Sequence, residues 1–508
     1  MTGRIWTRPI SRRELLRVAS ALGGSAAAAA LVQACSTQQS SQPAKTSAGG
    51  RAVTIEHWDY WVSQAPFMDN EIKLFEAANP GIKIKRTINA STTYDQLFSL
   101  AQRSGSLPDT FSTALAIPLN DQAAKGWLQP LNKWATGSWQ RQFPPYSFVE
   151  GSNTFGGKIY TAPFSGTSPF LQLYVNTKVF KNAGLTNKDG SVKLPKTWDD
   201  VTRAADTIVK KSGGSVAGLG FGDGGGNILP FWLDIFVRAA GSPGGAVFAT
   251  GGQDLRTGKY GYGTDRNYSD LIRLITEWRD KGYFYTTSTS ISDEIARAYF
   301  ERGRFGMTVG GVWLQPEFTQ HKFTDYELTT LVGPETQRKG YYYATPGGTQ
   351  WAMSATTKHP EEAWQWINWL YSPAAGRRWT QMFNEDLSIF PQADDPSKIK
   401  FKPFSQFVGL KPLNIPGPSA SLRNKDTAFV VINPVQPDIG AVLTGIYTGQ
   451  IKDVQSALTE LDGRLTAALD DGIKGAQQKG YKVSRDDFVF TDWDITKPYK
   501  WSIPEYVS

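Results

Sequence analysis

The 508-residue chain contains one cysteine, Cys35, so no disulfide can form within it and its stability must come from its core alone. Histidine is almost as scarce. His57, His321 and His359 are far apart and lack His-x-x-x-His spacing, which leaves no zinc-type motif. There is no Gly-x-Ser-x-Gly elbow. The adjacent acid pairs Glu361-Glu362, Asp470-Asp471 and Asp486-Asp487 would point apart on a helix, so none makes an acid/base dyad. No dense Lys/Arg block follows Arg51, and Lys210-Lys211 and Arg377-Arg378 are ordinary solvated helix ends. Nucleic-acid binding therefore loses its electrostatic argument. Neither a catalytic constellation nor a cofactor or metal is expected from these residues.

What the N-terminus has is an address. Ser11-Arg12-Arg13-Glu14-Leu15-Leu16 is a twin-arginine pattern, followed from Val18 to Val32 by an Ala/Gly-rich run of 15 residues. A helix of that length rises about 22 Å, short of the roughly 30 Å hydrocarbon core of a bilayer, which argues against an uncleaved spanning anchor. Leu31-Val32-Gln33-Ala34-Cys35 closes the run and resembles the bacterial lipobox. Residues 1–34 are thus expected to be a signal peptide and Cys35 the lipid-bearing first residue of the exported chain. Arg4, Arg8, Arg12, Arg13 and Arg17 against Glu14 leave a net +4 in that segment, half of the chain's +8, so the mature protein is only mildly basic. Residues 35–50, ending STQQSSQPAKTSAGG, lack large apolar side chains and are expected to form a flexible tether. Removing 34 of the 508 residues leaves 474, enough for two or more domains.

Beyond the tether the pattern is that of a parallel α/β protein. A strand over Val53 to His57 is followed by a helix from Phe67 to Ala78 with Phe67, Ile72, Phe75 and Ala78 near one face. Asn79-Pro80-Gly81 stops that helix before the strand Ile82 to Lys85. A second helix, Tyr94 to Ser104, leads through Leu107-Pro108-Asp109 into another short strand. Thr197 and Asp200 stand as cap and third residue of a helix, so the acid pair Asp199-Asp200 is helix-start charge. Ser292 to Arg302 is helical and stopped by Gly303, after which Phe305, Met307 and Val309 alternate as in a strand. Pro360 opens a helix whose stripe is Ala363, Trp366, Ile367 and Leu370, and Trp364, Trp366 and Trp369 are structural there. No internal repeat is present.

The order of several short segments resembles the extracellular solute-binding proteins of the maltose-binding type. The matching residues are His57-Trp58-Asp59-Tyr60-Trp61, Phe75 to Ile82, Leu107-Pro108-Asp109, Gly156 to Tyr160 with Pro163, Tyr174 to Lys178, and Pro195 to Asp200. They continue through Ala298 to Met307 with Gly311-Val312-Trp313, and from Gly347-Gly348 to Trp364. The resemblance implies a two-lobe, periplasmic-binding-protein-like α/β fold with several hinge crossovers and a ligand cleft between the lobes. Projected onto this chain, residues 51–165 plus 349–385 form the first lobe and 167–347 plus 390–505 the second. It also implies a monomeric receptor that hands a sugar or polyol to the two permease subunits and cytoplasmic ATPase of an ABC importer. The tail from Phe488 to Ser508, rich in Trp, Tyr and Pro, departs from the family pattern.

A sugar has hydroxyls around its rim and apolar C–H faces, so its receptor needs aromatic platforms ringed by hydrogen-bonding side chains. Trp58, Asp59, Tyr60 and Trp61 cluster where the first strand should end. An alternating strand would bury only every other residue, which leaves both pocket and core open for Trp61 and for Asp59. Trp313, beside Gly310-Gly311, is the favoured platform. The loop Gly220-Phe221-Gly222-Asp223-Gly224-Gly225 satisfies a dinucleotide pattern weakly. It is better explained as a flexible loop presenting Asn227 and Trp232 to the cleft. Thr113, Ser165, Thr167, Gly347 and Gly348 complete the expected contacts. Two other readings stay open. One is an exported carbohydrate-active hydrolase with Asp59, Asp109 and Glu385 as its acids; the other is the same fold binding a phosphorylated polyol or a metal chelate.

Overall fold

The computed structural model describes residues 52–500 except 115–116 and 248–250, and omits the side chains of residues 91 and 92. The signal peptide, the tether, Cys35 and the last eight residues of the tail lie outside the described residues.

Strand β1 (Val53–Asp59) leads through helix α1 (Ala65–Ala78) to strand β2 (Ile82–Ile88), and helix α2 (Ser91–Ser104) leads to strand β3 (Thr110–Ser112). Then come strand β4 (Gln172–Asn176), helix α3 (Trp198–Lys211), strand β5 (Ala217–Leu219) and helix α4 (Leu229–Ala240). Helix α5 (Asp293–Glu301), strand β6 (Phe305–Gly310), helix α6 (Leu314–Gln320) and strand β7 (Tyr326–Thr329) follow. The chain continues through strands β8 (Tyr342–Ala344) and β9 (Trp351–Met353), helix α7 (Pro360–Leu370), strand β10 (Asn414–Pro416), and helices α8 (Ile439–Tyr447) and α9 (Val454–Gln478).

The strands assemble into two four-stranded sheets. In the first, ordered β9-β3-β1-β2, β1 runs parallel to β2 with Val53 opposite Ile82, and β9 is antiparallel to β3. In the second, ordered β7-β4-β6-β5, β6 lies parallel to β5 but antiparallel to β4. Each sheet has its own apolar core, the first built on Phe67, Phe75, Trp351, Trp366 and Ile367, the second on Leu173, Val201, Trp232, Phe236 and Trp278. The chain therefore has the two-lobe architecture its segment order implies.

Local chemistry sets many of the boundaries. Thr197 Oγ1 accepts from the Asp200 amide at 3.1 Å while the Asp200 carboxylate accepts from the Thr197 amide at 3.0 Å, the reciprocal cap expected at the start of α3. All six residues of β6 are buried because helices or loops cover both faces of a central strand, so the alternation of Phe305, Met307 and Val309 does not mark a solvated side. Helix α1 differs from its predicted face. Ala78 is exposed, whereas Glu71 is fully buried among apolar neighbours, held by Arg378 at 2.5 and 2.6 Å and by the Trp369 indole N–H at 2.9 Å. A buried carboxylate with three charge-assisted or indole donors can occupy a core position that periodicity reserves for an apolar residue.

Among the described residues the chain passes three times between the lobes built on the two sheets. The first (164–168) pairs with the second (385–390): the Gly166 amide donates to Leu387 O and the Ile389 amide to Phe164 O, both at 2.8 Å, with Ser165 opposite Ser388 between them. Glu385 is only 3 % exposed there. Burial, reinforced by the neighbouring Asp386 charge, pushes its carboxyl up to about 9, and burial pushes Asp386 up to about 7 although the Leu387 amide and the Ser168 hydroxyl hydrogen-bond to it. The third crossover runs from β8, which pairs with β10, into Gly347-Gly348. The C-terminal tail clasps this crossover: Trp493 packs edge-on against Tyr343 at 4.7 Å, and the Tyr343 hydroxyl donates to Ile495 O at 2.9 Å.

Candidate functional site

The end of β1 and the loop after β3 carry a polar-aromatic group of side chains. Tyr60 stands edge-on to buried Tyr94 with ring centroids 5.1 Å apart and shares a hydrogen bond with the Gln350 side chain. Burial pushes the Tyr60 hydroxyl up to about 12, so it is neutral and able to donate. Gln350 is fixed in turn, its carbonyl accepting from the Thr113 amide at 2.8 Å, while Thr113 Oγ1 donates to Thr349 at 3.4 Å. Trp58 is half-buried and packs beside Tyr60 against the small core around Phe98 and Phe111.

The second lobe supplies a group of three half-buried aromatic rings. Trp313 lies 5.4 Å from Phe170 and 6.1 Å from Phe231, centroid to centroid. Gly311 makes this possible in an unexpected way: a Cβ there would sit 1.8 Å from the indole, so the ring folds back over the glycine that precedes it. The Gln320 side chain at the end of α6 donates to Ser63 O of the first lobe at 2.9 Å. This bond brings the far end of the helix that begins just after Trp313 to the loop just after Tyr60.

Several expected contacts are placed elsewhere. Trp232 is 0 % exposed and stacks on Phe236 in the second core, so no ligand reaches it; its neighbour Phe231 is the residue of α4 that joins the aromatic group. Asp59 is also 0 % exposed, and its oxygens accept from Arg86 at 2.6 and 2.9 Å and from the Trp61 amide at 2.9 Å. That pair is a structural brace rather than a hydroxyl acceptor. Trp61, 9 % exposed, stacks on Trp379 at 4.9 Å and belongs to the first core. Gly347 and Gly348, at φ +85° and +124°, are needed for packing: added Cβ atoms would meet Ser152 Oγ at 2.3 Å and Pro163 Cβ at 2.8 Å. Ser165 lies in the crossover ladder, and Asn227 and Thr167 are exposed at the surface of their loops.

In the glycine loop the amides of Gly220, Asp223, Gly224 and Gly226 already donate to backbone carbonyls. Asp223 Oδ1 already accepts from Ile228 N at 2.6 Å and Leu229 N at 3.3 Å, and its other oxygen accepts from Thr444 at 2.9 Å. Glu385 of the hydrolase reading is held protonated in the crossover. Asp109 serves the first sheet, accepting from the Glu56 amide at 3.0 Å and from Thr357 at 2.5 Å. Among the described residues, Glu301, Glu317 and His321 bring one ligand atom each within 4.8 Å of one another. Arg297 donates to Glu317 at 2.7 Å, and a cation would have to displace that guanidinium.

The family described as bacterial extracellular solute-binding protein matches residues 60–377. The chain belongs to that family. A putative binding protein of Brucella abortus is 23 % identical over 358 residues, covering 70 % of this chain and 80 % of the relative. The maltodextrin-binding protein MdxE of Bacillus subtilis is 25 % identical over 238 residues, covering 46 % of this chain and 50 % of MdxE. The fold is similar to that of the GacH receptor of Streptomyces glaucescens, at 17 % identity and a TM-score of 0.60 over 83 % of this chain and 99 % of that one. As an extracellular solute-binding protein, the chain works outside the cytoplasm and belongs to a family of binders rather than enzymes.

Proposed function

We propose that this solute-binding protein captures a mono- or oligosaccharide and delivers it to the permease subunits of an ABC importer. The reading is supported by two groups of side chains, the half-buried rings of Phe170, Phe231 and Trp313 in the second lobe and the hydroxyl and amide groups of Tyr60, Gln350 and Thr113 in the first, which on this reading face each other across the ligand cleft. Flat apolar faces opposite neutral hydrogen-bonding groups match the two surfaces of a sugar ring and leave no charge for a phosphate to neutralise. MdxE is named for maltodextrin and the GacH receptor binds acarbose, which supports the same ligand class. Titration calorimetry of the mature chain against maltose, maltotriose, raffinose and xylobiose should give saturable binding to at least one, with no reducing sugar released. Heat-silent titrations throughout, or turnover of a ligand, would refute the receptor reading.

The anchor belongs to the same proposal. Lipid on Cys35 holds the receptor at the outer face of the membrane, and the tether lets it reach the permease. Cys35→Ser should move the exported, folded protein from the membrane pellet to the soluble fraction. An unchanged membrane fraction would mean that the lipobox resemblance misleads.

A further inference from the structure

Next to the aromatic group, helix α4, the segment 432–439 and helix α9 line an open-sided pocket of about 410 Å³. Phe231 lines it and also meets Trp313 edge-on, so the cavity and the aromatic group share a wall. Its other surfaces come mainly from Pro230, Val247, Ile432, Val435 and Leu465. Among the described residues its polar side chains are Asn227, Tyr262, Asn433 and Asp438, and one oxygen of Asp438 is already committed to the Ala441 amide at the start of α8, 2.8 Å away. The segment 432–439 lies beyond residues 60–377 that match the family.

A further sugar ring would fit such a lining poorly, because its hydroxyls would be buried opposite carbon without partners. An aromatic ring has no such requirement. The volume lies within the roughly 300–1,000 Å³ of small-molecule sites, and apolar cavities of only about 150 Å³ admit benzene. We propose that the cavity receives an aryl substituent attached to a sugar that stacks on Trp313, so that the preferred ligand is an aryl glycoside rather than a free sugar. This rests on the sugar-receptor reading and adds a second, apolar subsite to it.

Matched pairs separate the two ideas: glucose, maltose and xylobiose, each with its p-nitrophenyl glycoside, titrated calorimetrically into the wild-type chain and two variants. For the sugar that binds, the aryl glycoside should bind about tenfold or more tightly, the gain expected from burying one small ring. Val435→Trp, which fills the cavity, should abolish that preference while leaving the affinity for the free sugar unchanged. Asn433→Trp, at an exposed lining position, gives the same readout should the first variant fold poorly. Equal affinities of sugar and aryl glycoside for the wild type would overturn the proposal and leave the receptor intact. A preference that survives both variants would overturn it too, by moving the aryl group elsewhere. A chain that binds no member of any pair fails the receptor reading itself, and the aryl subsite falls with it.

Discussion

Replacing Arg86 with leucine should lower the free energy of unfolding by about 3–5 kcal/mol, because it strands a carboxylate that water cannot reach. Asp59 is fully buried at the end of β1, and Arg86, projecting from the neighbouring strand β2, supplies two of its hydrogen bonds while donating a third to Trp61 O at 2.7 Å. His57 is a poor substitute, its Nε2 lying 3.6 Å from Asp59 Oδ2. Burial, opposed by Asp59 and helped by Arg86, pushes its imidazole down to about 4, and its Nδ1 is engaged with Thr110 at 2.8 Å. Urea unfolding without ligand measures the loss, and adding Asp59→Asn should recover part of it, since the second change removes the stranded charge. A loss below about 1 kcal/mol would mean that water solvates Asp59, reopening its candidacy as a ligand acceptor.

Trp313→Ala should weaken sugar binding by about 5- to 150-fold, the equivalent of removing about 1–3 kcal/mol of stacking area. The indole is half-buried and rests on Gly311, so its loss leaves a shallow recess rather than a sealed cavity. Stability should therefore fall by less than the roughly 3–5 kcal/mol typical of a core tryptophan. Calorimetry at low temperature and the thermal midpoint of the free protein measure the two effects separately. A variant that melts far earlier yet binds sugar normally would place Trp313 in the core and remove the platform from the cleft.

The architecture was legible in the sequence because its signals are local. Asn79-Pro80-Gly81 ends one helix, Thr197 and Asp200 cap another, and Pro360 opens a third, all where the structure has them. The site was legible only in part, for reasons visible in two residues. Every residue of α4 is buried except Phe231, so a nearly all-apolar helix has no polar face by which periodicity could tell Phe231 from Trp232. Spacing from Trp232 to Ile235, Phe236 and Ala239 would have placed the tryptophan on the inner stripe. Asp59 misleads in the opposite direction. An acid among aromatics at a strand end suggests a ligand contact, and its partner Arg86, 27 residues away in sequence, becomes visible only when β1 and β2 pair. The tail had no family pattern to follow, and its packing on Tyr343 depends wholly on tertiary contact.

The lobes touch outside their three crossovers. Besides the bond from Gln320 to Ser63, the Asn120 side chain donates to Ala428 O at 2.8 Å, and Phe155 meets Phe429, itself stacked at 3.9 Å on Tyr481 just beyond helix α9. If the lobes close on their ligand, contacts of this kind supply part of the free energy of closing before any ligand arrives. The apparent dissociation constant then depends on how much of the empty receptor is already shut, and substitutions at this seam become dials of affinity and residence time that leave ligand selectivity untouched.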